Sequence, residues 1–578
     1  ESEVRAAFSD LTRYDLDRWL EHGRQVAAER EAARAEGRHP DLERLVKAWG
    51  GVSIVYRKRL QDSPAYRLNH EEVENALTEG IGFAECLSPV EFLAGADGRV
   101  ASVRFERQAL VDGRWSATGD ILELPARTVQ VAAGTHPNAI YEREHPGTFV
   151  MDRWGEYFRP HCRTADGVAL EAVPEGGLGF FTSYDQGGRR ITYYGDNHPV
   201  YVGNVVKAMA SARDGSREVT ALFAPELARL DPADQADRDR AFAELNDRLD
   251  DLLVARVEEN RRLAPGVIEL VLRAPMAARR FRPGQIFRLQ NYETRADQVD
   301  GHPLTMEGLP VTGAWADPVA GLVGVVVLET GGSARLAALL VPGEPVVLMG
   351  PSGAPSDIPE NESVLLVGAG FGVAVIPSLA KAMRERGNHV TAVAGFRSAV
   401  DLFYRDAIEG ATDRVIWCTE EGAAIEPRRP GDRAATGTPI EGLQAWASGE
   451  LRVDDPALAG TEHLLAVGPD ALLSALGSAR RNGLEAPFGT ARTAVASINA
   501  PMQCMMKEIC AQCLTRHVDP ETGKESYVFS CFRQDQPLDR VDFAHLAARL
   551  SQNATSETLT HLWIDRLLAR RAAGSGAP

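Results

Sequence analysis

Val364-Leu365-Leu366-Val367-Gly368-Ala369-Gly370-Phe371-Gly372-Val373-Ala374 reads as a strand, a glycine-rich turn and the start of a helix. Four consecutive apolar residues suit a strand covered on both faces of a parallel sheet. The glycines let the backbone approach a pyrophosphate, and a helix N-terminus offers it free N–H groups and a positive dipole end. A tight strand-to-helix turn in a domain without a nucleotide has the same pattern, so the flanking sequence carries the argument. Residues 363–488 alternate strand and helix: strands are expected at Val364–Val367, Val390–Ala394, Val415–Cys418 and His463–Val467, and helices at Ile376–Glu385 and Ala471–Arg480. This is a doubly wound pattern. Ala394-Gly395-Phe396-Arg397-Ser398 ends the second strand with a basic residue and no acid. Ala466-Val467-Gly468-Pro469-Asp470 ends a later strand at the carboxyl edge, where open sheets bind ligands. Gly368, Gly370, Gly372 and Gly468 are therefore candidate nucleotide contacts.

Outward from this domain the sequence changes style twice. Upstream, an amphipathic helix over Phe242–Leu253 leads into residues 255–350, strand-rich with turn glycines and prolines, as in an antiparallel barrel. Downstream, Cys504, Cys510, Cys513 and Cys531 stand in the order C-x5-C-x2-C-x17-C, while the other three of seven cysteines (Cys86, Cys162, Cys418) are scattered. No secretory signal is seen, so a cytoplasmic protein with thiols rather than disulfides is expected. The spacing comes close to the C-x4-C-x2-C…C ligation of a plant-type [2Fe–2S] cluster. Thiolates suit zinc as well, and a structural zinc site is the alternative. A one-electron centre needs a donor and an acceptor, which the upstream chain should supply. An amphipathic stretch, Leu559–Arg571, closes the sequence.

The length of 578 residues implies roughly three or four domains. With 44% hydrophobic and 25% charged residues the composition is that of a globular protein. A net charge of −18 argues against nucleic acid as a partner. The longest apolar runs, Leu322–Leu328 and Val364–Ile376, fall short of the ~20 residues a membrane span needs. The first residue is Glu1 with no initiator methionine, and the expectation is a piece of a longer polypeptide.

The first 50 residues are highly charged with helical apolar spacing (Leu16, Trp19, Leu20, then Leu42, Leu45, Val46, Trp49). Val52–Tyr56 reads as a buried parallel strand, followed by a helix over 70–80 and strands at Gly82–Cys86, Val100–Glu106 and Thr128–Ala132. Arg57-Lys58-Arg59 ends the first strand. Arginines there accommodate the 2′-phosphate of NADP, where an acid would suit the NAD ribose; a surface basic cluster is the other reading of Arg57 and Arg59. Two further motifs follow, Ala133-Gly134-Thr135-His136-Pro137-Asn138 and Gly195-Asp196-Asn197-His198-Pro199 continuing through Gly203-Asn204-Val205-Val206-Lys207-Ala208. Taken singly they describe a loop and an N-capped helix.

Phe281-Arg282-Pro283-Gly284-Gln285-Ile286-Phe287 followed by His302-Pro303-Leu304-Thr305 resembles the ferredoxin–NADP reductase superfamily, most closely the electron-transfer subunit of dihydroorotate dehydrogenase, over about residues 252–545. That resemblance implies FAD, NAD(P) and a C-terminal [2Fe–2S] loop in this order. His302, Pro303, Leu304 and Thr305 would lie along the isoalloxazine, with histidine in place of the family's arginine. Gly331, Gly332 and Ser333 match the FAD pyrophosphate turn, and Met349-Gly350-Pro351-Ser352-Gly353 the barrel-closing segment. The cluster loop departs from the family's glycine-rich one. Here Met505-Met506-Lys507-Glu508-Ile509 separates the first two cysteines, with fewer easy positive-φ turns to bring N–H groups to the sulfides.

The two upstream motifs resemble the glutamate synthase small subunit and related two-dinucleotide flavoproteins. This implies FAD contacts from Gly134, Asn138, Asp196, Gly203 and Val206, with Asp196 at the ribityl–pyrophosphate region and the helix opening near Gly203 aimed at the flavin. No G-x-G-x-x-G follows a strand within residues 1–130, although such a fold needs one for FAD and one for NADP. The missing half is expected from a polypeptide N-terminal to Glu1.

Together the parts resemble a fused NADH-dependent ferredoxin:NADP oxidoreductase. The expected fold class is multidomain α/β plus β-barrel. Its layout is a partial flavoprotein module over 1–230, a linker helix over 231–254, an FAD barrel over 255–356, an NAD(P) domain over 357–490, a [2Fe–2S] domain over 491–545 and a helical tail over 546–578. The implied activity moves electrons between NAD(P)H, one or two FAD and the cluster, to or from ferredoxin or a ferredoxin-dependent oxidoreductase subunit, in a hetero-complex or oligomer. No catalytic residue is singled out. The alternatives are an electron-transfer subunit of a larger complex, such as a 2-oxoacid:ferredoxin oxidoreductase or glutamate synthase, and a cofactor-free structural or assembly protein.

Overall fold

The computed structural model describes residues 5–574 apart from 7, 9, 97, 133, 135, 452–459, 483–490 and 499–503. Its contacts divide it into two compact units, Asp17–Asp234 and a larger one made of Glu1–Leu16 with Gln235–Pro578.

In the smaller unit, Ser53–Tyr56 pairs in parallel with Gly82–Glu85, as the β-branched runs predict, but the pair stands alone. Val52 and Ile54 are 54% and 44% exposed, so the expectation of a buried strand fails: no third strand flanks it among the described residues. A three-stranded meander follows (Leu87–Ala94, Val100–Val111, Arg114–Pro125) over a small core of Leu87, Val103 and Phe105. The strand expected at Thr128–Ala132 is also absent. Those residues join no ladder and Val131 is 79% exposed, because they have no neighbouring strand to pair with among the described residues. A four-stranded sheet over 161–192, which the sequence reading passed over, is flanked by an aromatic layer in which Phe180 meets Tyr194, His198 and Tyr201. Helix α1 (Val205–Leu222) rests on this layer through Gly215, where a Cβ would lie 2.4 Å from the Tyr194 ring and 2.8 Å from that of Phe180. Only glycine permits that approach.

The larger unit opens, after the helix Gln235–Leu253, with a closed antiparallel barrel. Its strands are β1 (Ala255–Ala264), β2 (Val267–Arg273), β3 (Ile286–Asn291), β4 (Leu309–Asp317), β5 (Leu322–Leu328) and β6 (Pro345–Ser352), in the order β1-β2-β5-β4-β3-β6. The short helix α2 (Gly332–Ala337) packs Ala334, Leu336 and Ala337 into the barrel core. Strand β2 is apolar nearly throughout because both faces are covered. Ile268, Leu270 and Leu272 fill the barrel, and Val267 joins Ala264, Ala314 and Val326 against Val373–Leu379 of the next layer.

That layer is a seven-stranded sheet built from β7 (Ser363–Ala369), β8 (His389–Phe396), β9 (Arg414–Thr419), β10 (Arg433–Thr436), β11 (His463–Val467), β12 (Thr493–Ser497) and β13 (Asp535–Pro537). Their order is β10-β9-β8-β7-β11-β12-β13, parallel except for β13. Helix α3 (Ile376–Glu385) packs on one face. A two-stranded hairpin (Leu514–Val518, Glu525–Phe529) carries the cysteine segment. Helix α4 (Ala554–Gly574) returns to the barrel and places Ile564 and Leu567 in its core. No helix among the described residues is long and apolar enough to cross a membrane.

One buried carboxylate joins barrel and sheet. Glu269, 2% exposed on β2, accepts from Trp315 Nε1 at 2.7 Å, from the Tyr404 hydroxyl, and from Arg261 Nη1 at 3.4 Å. Tyr404→Phe removes one of these donors and should lower stability by about 1–3 kcal/mol, read as a shift in the urea unfolding midpoint.

Candidate functional site

The chain between β3 and β4 is pinned from three sides. Asn291 donates to the Leu304 carbonyl and accepts from the Met306 N–H, both at 2.9 Å, and Leu304 N–H donates to the Asp297 carbonyl at 2.8 Å. Leu304 is thereby turned into the barrel core, while His302 and Pro303 stay exposed on a short paired edge with Gln298–Val299. The Glu307 N–H then donates to Ser333 Oγ at 2.9 Å. So the structure brings the His302–Thr305 edge and the Gly331–Ser333 turn together. Asn291, which holds the edge in place, carried no signal in the sequence.

One residue further, the Gly308 carbonyl accepts from the Cys504 N–H at 3.1 Å. The cysteine loop is docked here: Cys504, Met506 and Cys531 are buried in one cluster with Ile286 of β3, and Cys513 packs against it. The Cys531 thiol neighbours both Cys504 and Cys513. The neighbouring Cys531 thiol first, and backbone N–H groups with it, pull Cys504 down to about 7 and Cys513 to about 6, whereas Cys504 and Cys513 first and burial after them push Cys531 up. Cys510 is not gathered with them; its thiol lies 3.9 Å from Gln512 Oε1. Among the described residues, no group of three or more His, Cys, Asp or Glu is assembled in metal-holding geometry.

The loop's backbone fits a sulfur-rich anion all the same. Met506, Lys507 and Glu508 are consecutive left-handed residues (φ 61°, 55° and 62°), and Ala511 is a fourth (φ 55°). The Met506 N–H points at Cys504 Sγ (3.3 Å), the Glu508 N–H at Cys531 Sγ (3.4 Å) and the Cys531 N–H at Cys513 Sγ (3.4 Å). The chain thus makes the positive-φ turns without glycine, at about 1–2 kcal/mol each. Beside Cys504, Arg288 Nε is buried without a hydrogen-bond partner, a donor awaiting negative charge.

In the seven-stranded sheet, the turn after β7 is a 3₁₀ segment, Gly370–Val375, and the α-helix begins at Ile376. The helix spans Ile376–Glu385, the bounds expected from the sequence, with Pro377 in its first turn fixing φ there. A Cβ on Gly372 would sit 2.0 Å from the Val467 carbonyl oxygen, and one on Gly468 3.1 Å from that of Ala369. Gly368, Gly370, Gly372 and Gly468 are therefore one cluster at the carboxyl edge of β7 and β11. Arg397 is not met without an acid, as its own strand suggested: Glu421 from the end of β9 pairs with it at 3.2 Å.

In the smaller unit, the Asn138 N–H donates to Asn197 Oδ1 at 2.9 Å, and Asp196 Oδ1 accepts from the Gly203 N–H at 3.2 Å. The two distant motifs therefore meet, although Ala133 and Thr135 lie outside the described residues and a Cβ on Gly134 would touch nothing. Helix α1 starts at Val205, capped by Asn204, and Val206 is 71% exposed. Beside Asn138 lies a cavity of about 400 Å³ lined by Tyr141, Phe149, Phe158 and Tyr184, aromatic residues the sequence reading missed. Arg59 is held bidentate by Asp62 (2.8 and 3.1 Å), while Arg57 is exposed.

No family model matches the chain. Over 521 residues, 90% of this chain, it is 27% identical to an uncharacterized protein of Rickettsia prowazekii, of which 58% is covered. Shorter stretches are homologous to dihydroorotate dehydrogenase B (NAD(+)) electron transfer subunits. The Thermotoga maritima homolog is 31% identical over 164 residues (28% of this chain, 54% of the relative), and that of Shouchella clausii 35% over 140 residues (24% and 51%). The chain thus spans little more than half the length of these curated relatives. The structure of an NADH-dependent reduced ferredoxin–NADP oxidoreductase aligns with 55% of this chain and 98% of its own at 23% identity and a TM-score of 0.44.

If the left-handed backbone of the cysteine loop is strained, Ala511→Gly should raise stability by up to about 1 kcal/mol. Urea unfolding of the metal-free protein reads it; a loss of stability would show that the loop carries no such strain.

Proposed function

We propose that the chain is an oxidoreductase that moves electrons between NAD(P)H, FAD and a [2Fe–2S] centre, to or from ferredoxin or a ferredoxin-dependent partner. The observation that carries it is the backbone link between the two candidate centres. Only Met306 and Glu307 separate Thr305 from Gly308, whose carbonyl receives the Cys504 N–H, a reach of at most about 10 Å. FAD supplies the conversion between two-electron and one-electron transfer, which a nicotinamide and a cluster cannot make alone.

On this reading His302, Pro303 and Thr305 present an exposed edge to the flavin ring, with Leu304 anchoring it in the barrel. Gly331, Gly332 and Ser333 face its diphosphate. Gly368, Gly370, Gly372 and Gly468 receive NAD(P) on the neighbouring sheet. Cys504, Cys510, Cys513 and Cys531 hold the cluster, Cys510 by turning inward from Gln512, and Arg288 offers its unpaired N–H to the resulting negative charge. The names of the homologous electron transfer subunits agree with this assignment.

The smaller unit serves as the closing half of a second flavin site. Gly134, Asn138, Asp196, Gly203 and Val206 line it, and Arg57, with Arg59 once released from Asp62, faces an NADP phosphate. A companion polypeptide supplies the other half. In support, Val205, Val206 and Met209, each at least 70% exposed, form an apolar face at the opening of α1.

Anaerobic reconstitution with iron, sulfide and FAD tests the proposal by absorbance and by stoichiometry. Flavin bands with a broad cluster shoulder are expected, and zinc in place of iron would overturn the cluster. Cys531→Ser should lose iron and keep FAD. Gly370→Val should lose reduction by NAD(P)H with the flavin still bound, because a side chain there meets no clash but must adopt φ 56°. Equal loss of both cofactors would contradict the assignment of the two domains.

A further inference from the structure

Helix α4 lies on the turn assigned above to the flavin diphosphate, and it takes the space, the charge and the nearby cation of that turn. The space comes first. A Cβ on Gly332 would sit 2.6 Å from Thr560 Cγ2 and 3.0 Å from Ile564 Cδ1, so the face of the turn that glycine leaves bare is filled by the helix. The charge is next. One carboxylate oxygen of Glu557 stands 3.4 Å from the Cβ position of Gly331, and Glu307 faces the same place. Desolvation first and Glu307 second raise the Glu557 pKa, as expected of negative charges crowded together. A diphosphate would add two more to that spot. The cation is last: Arg335, on α2, pairs with Asp565 and meets His561 Nε2 at 2.9 Å, both on α4.

The helix is fastened around the edge of the cradle as well. Trp563 meets the His302 ring edge-on with centroids 5.2 Å apart, Arg571 pairs with Asp297 at 2.5 Å, and Arg570 pairs with Asp300. These contacts run along the 297–305 segment, whereas Ile564 and Leu567 hold the helix to the barrel core.

We propose that α4 is a strap that closes the flavin cradle, and that FAD binds the barrel only when α4 leaves the Gly331–Ser333 turn. The inference rests on the flavin reading of that turn. Release frees Arg335 for a phosphate and removes the Glu557 carboxylate from its path, so strap and dinucleotide exclude one another.

Hydrogen–deuterium exchange of the full chain, with FAD binding followed by fluorescence, tests this. Adding FAD should raise exchange across residues 554–574 and leave β3 protected. Asp565→Asn loosens the strap without touching the barrel. It should strengthen apparent FAD affinity by up to about tenfold, since that affinity scales with the open fraction. Ile564→Asp, which expels the helix more forcefully, should act in the same direction. FAD bound with 554–574 still protected, or affinity unchanged in Asp565→Asn, would overturn the strap and leave the flavin reading standing. FAD binding to none of the three folded proteins would remove the flavin site and the strap with it.

Discussion

The hydrogen bond from the Cys504 N–H to the Gly308 carbonyl is the contact on which the arrangement of the larger unit's candidate site depends. It ties the cysteine loop to the same short piece of chain that forms the exposed His302–Thr305 edge, and the Glu307 N–H to Ser333 ties that piece to the glycine turn. Three segments far apart in sequence become neighbours through two backbone donors. The first of these bonds is between backbone groups and the second ends on the Ser333 hydroxyl, and neither involves the His302 side chain.

Energetically the two halves of this centre are made differently. The barrel edge is cheap: Asn291 satisfies Leu304 and Met306, and Leu304 adds buried apolar surface. The cysteine loop costs more, because consecutive non-glycine residues hold positive φ. Such strain persists where surrounding structure over-determines it, and it clusters at functional sites. The N–H groups of Met506 and Glu508, which it directs at two sulfurs, are contacts that packing alone does not supply.

The smaller unit shows the opposite economy. Its two-stranded parallel pair and the opening of α1 leave large apolar side chains in solvent, while the aromatic layer beneath α1 is closed around Gly215. A parallel pair of four-residue strands covers neither face, and isolated parallel strands are weak without helices packed on both sides. The exposed side therefore contrasts with the larger unit, where β2 and β7 are covered throughout.

Side-chain spacing alone accounts for the repeating parts. The apolar runs of β7, β8, β9 and β11 and the helix α3 stand where periodicity put them, since strand and helix register is a local property of side-chain spacing. The strand-rich barrel and the tail helix were legible for the same reason. Local spacing also proposed strands at Val52–Tyr56 and Thr128–Ala132. Only the tertiary structure could decide their fate, because burial and pairing depend on neighbours that a single segment does not encode. It likewise decided that Glu421 meets Arg397, that Asn138 reaches Asn197 across 59 residues, that Cys510 stands apart from three gathered thiols, and that α4 covers the Gly331–Ser333 turn. Each is a contact between distant parts of the chain, fixed by which surfaces the packed elements bring together rather than by any pattern in the sequence.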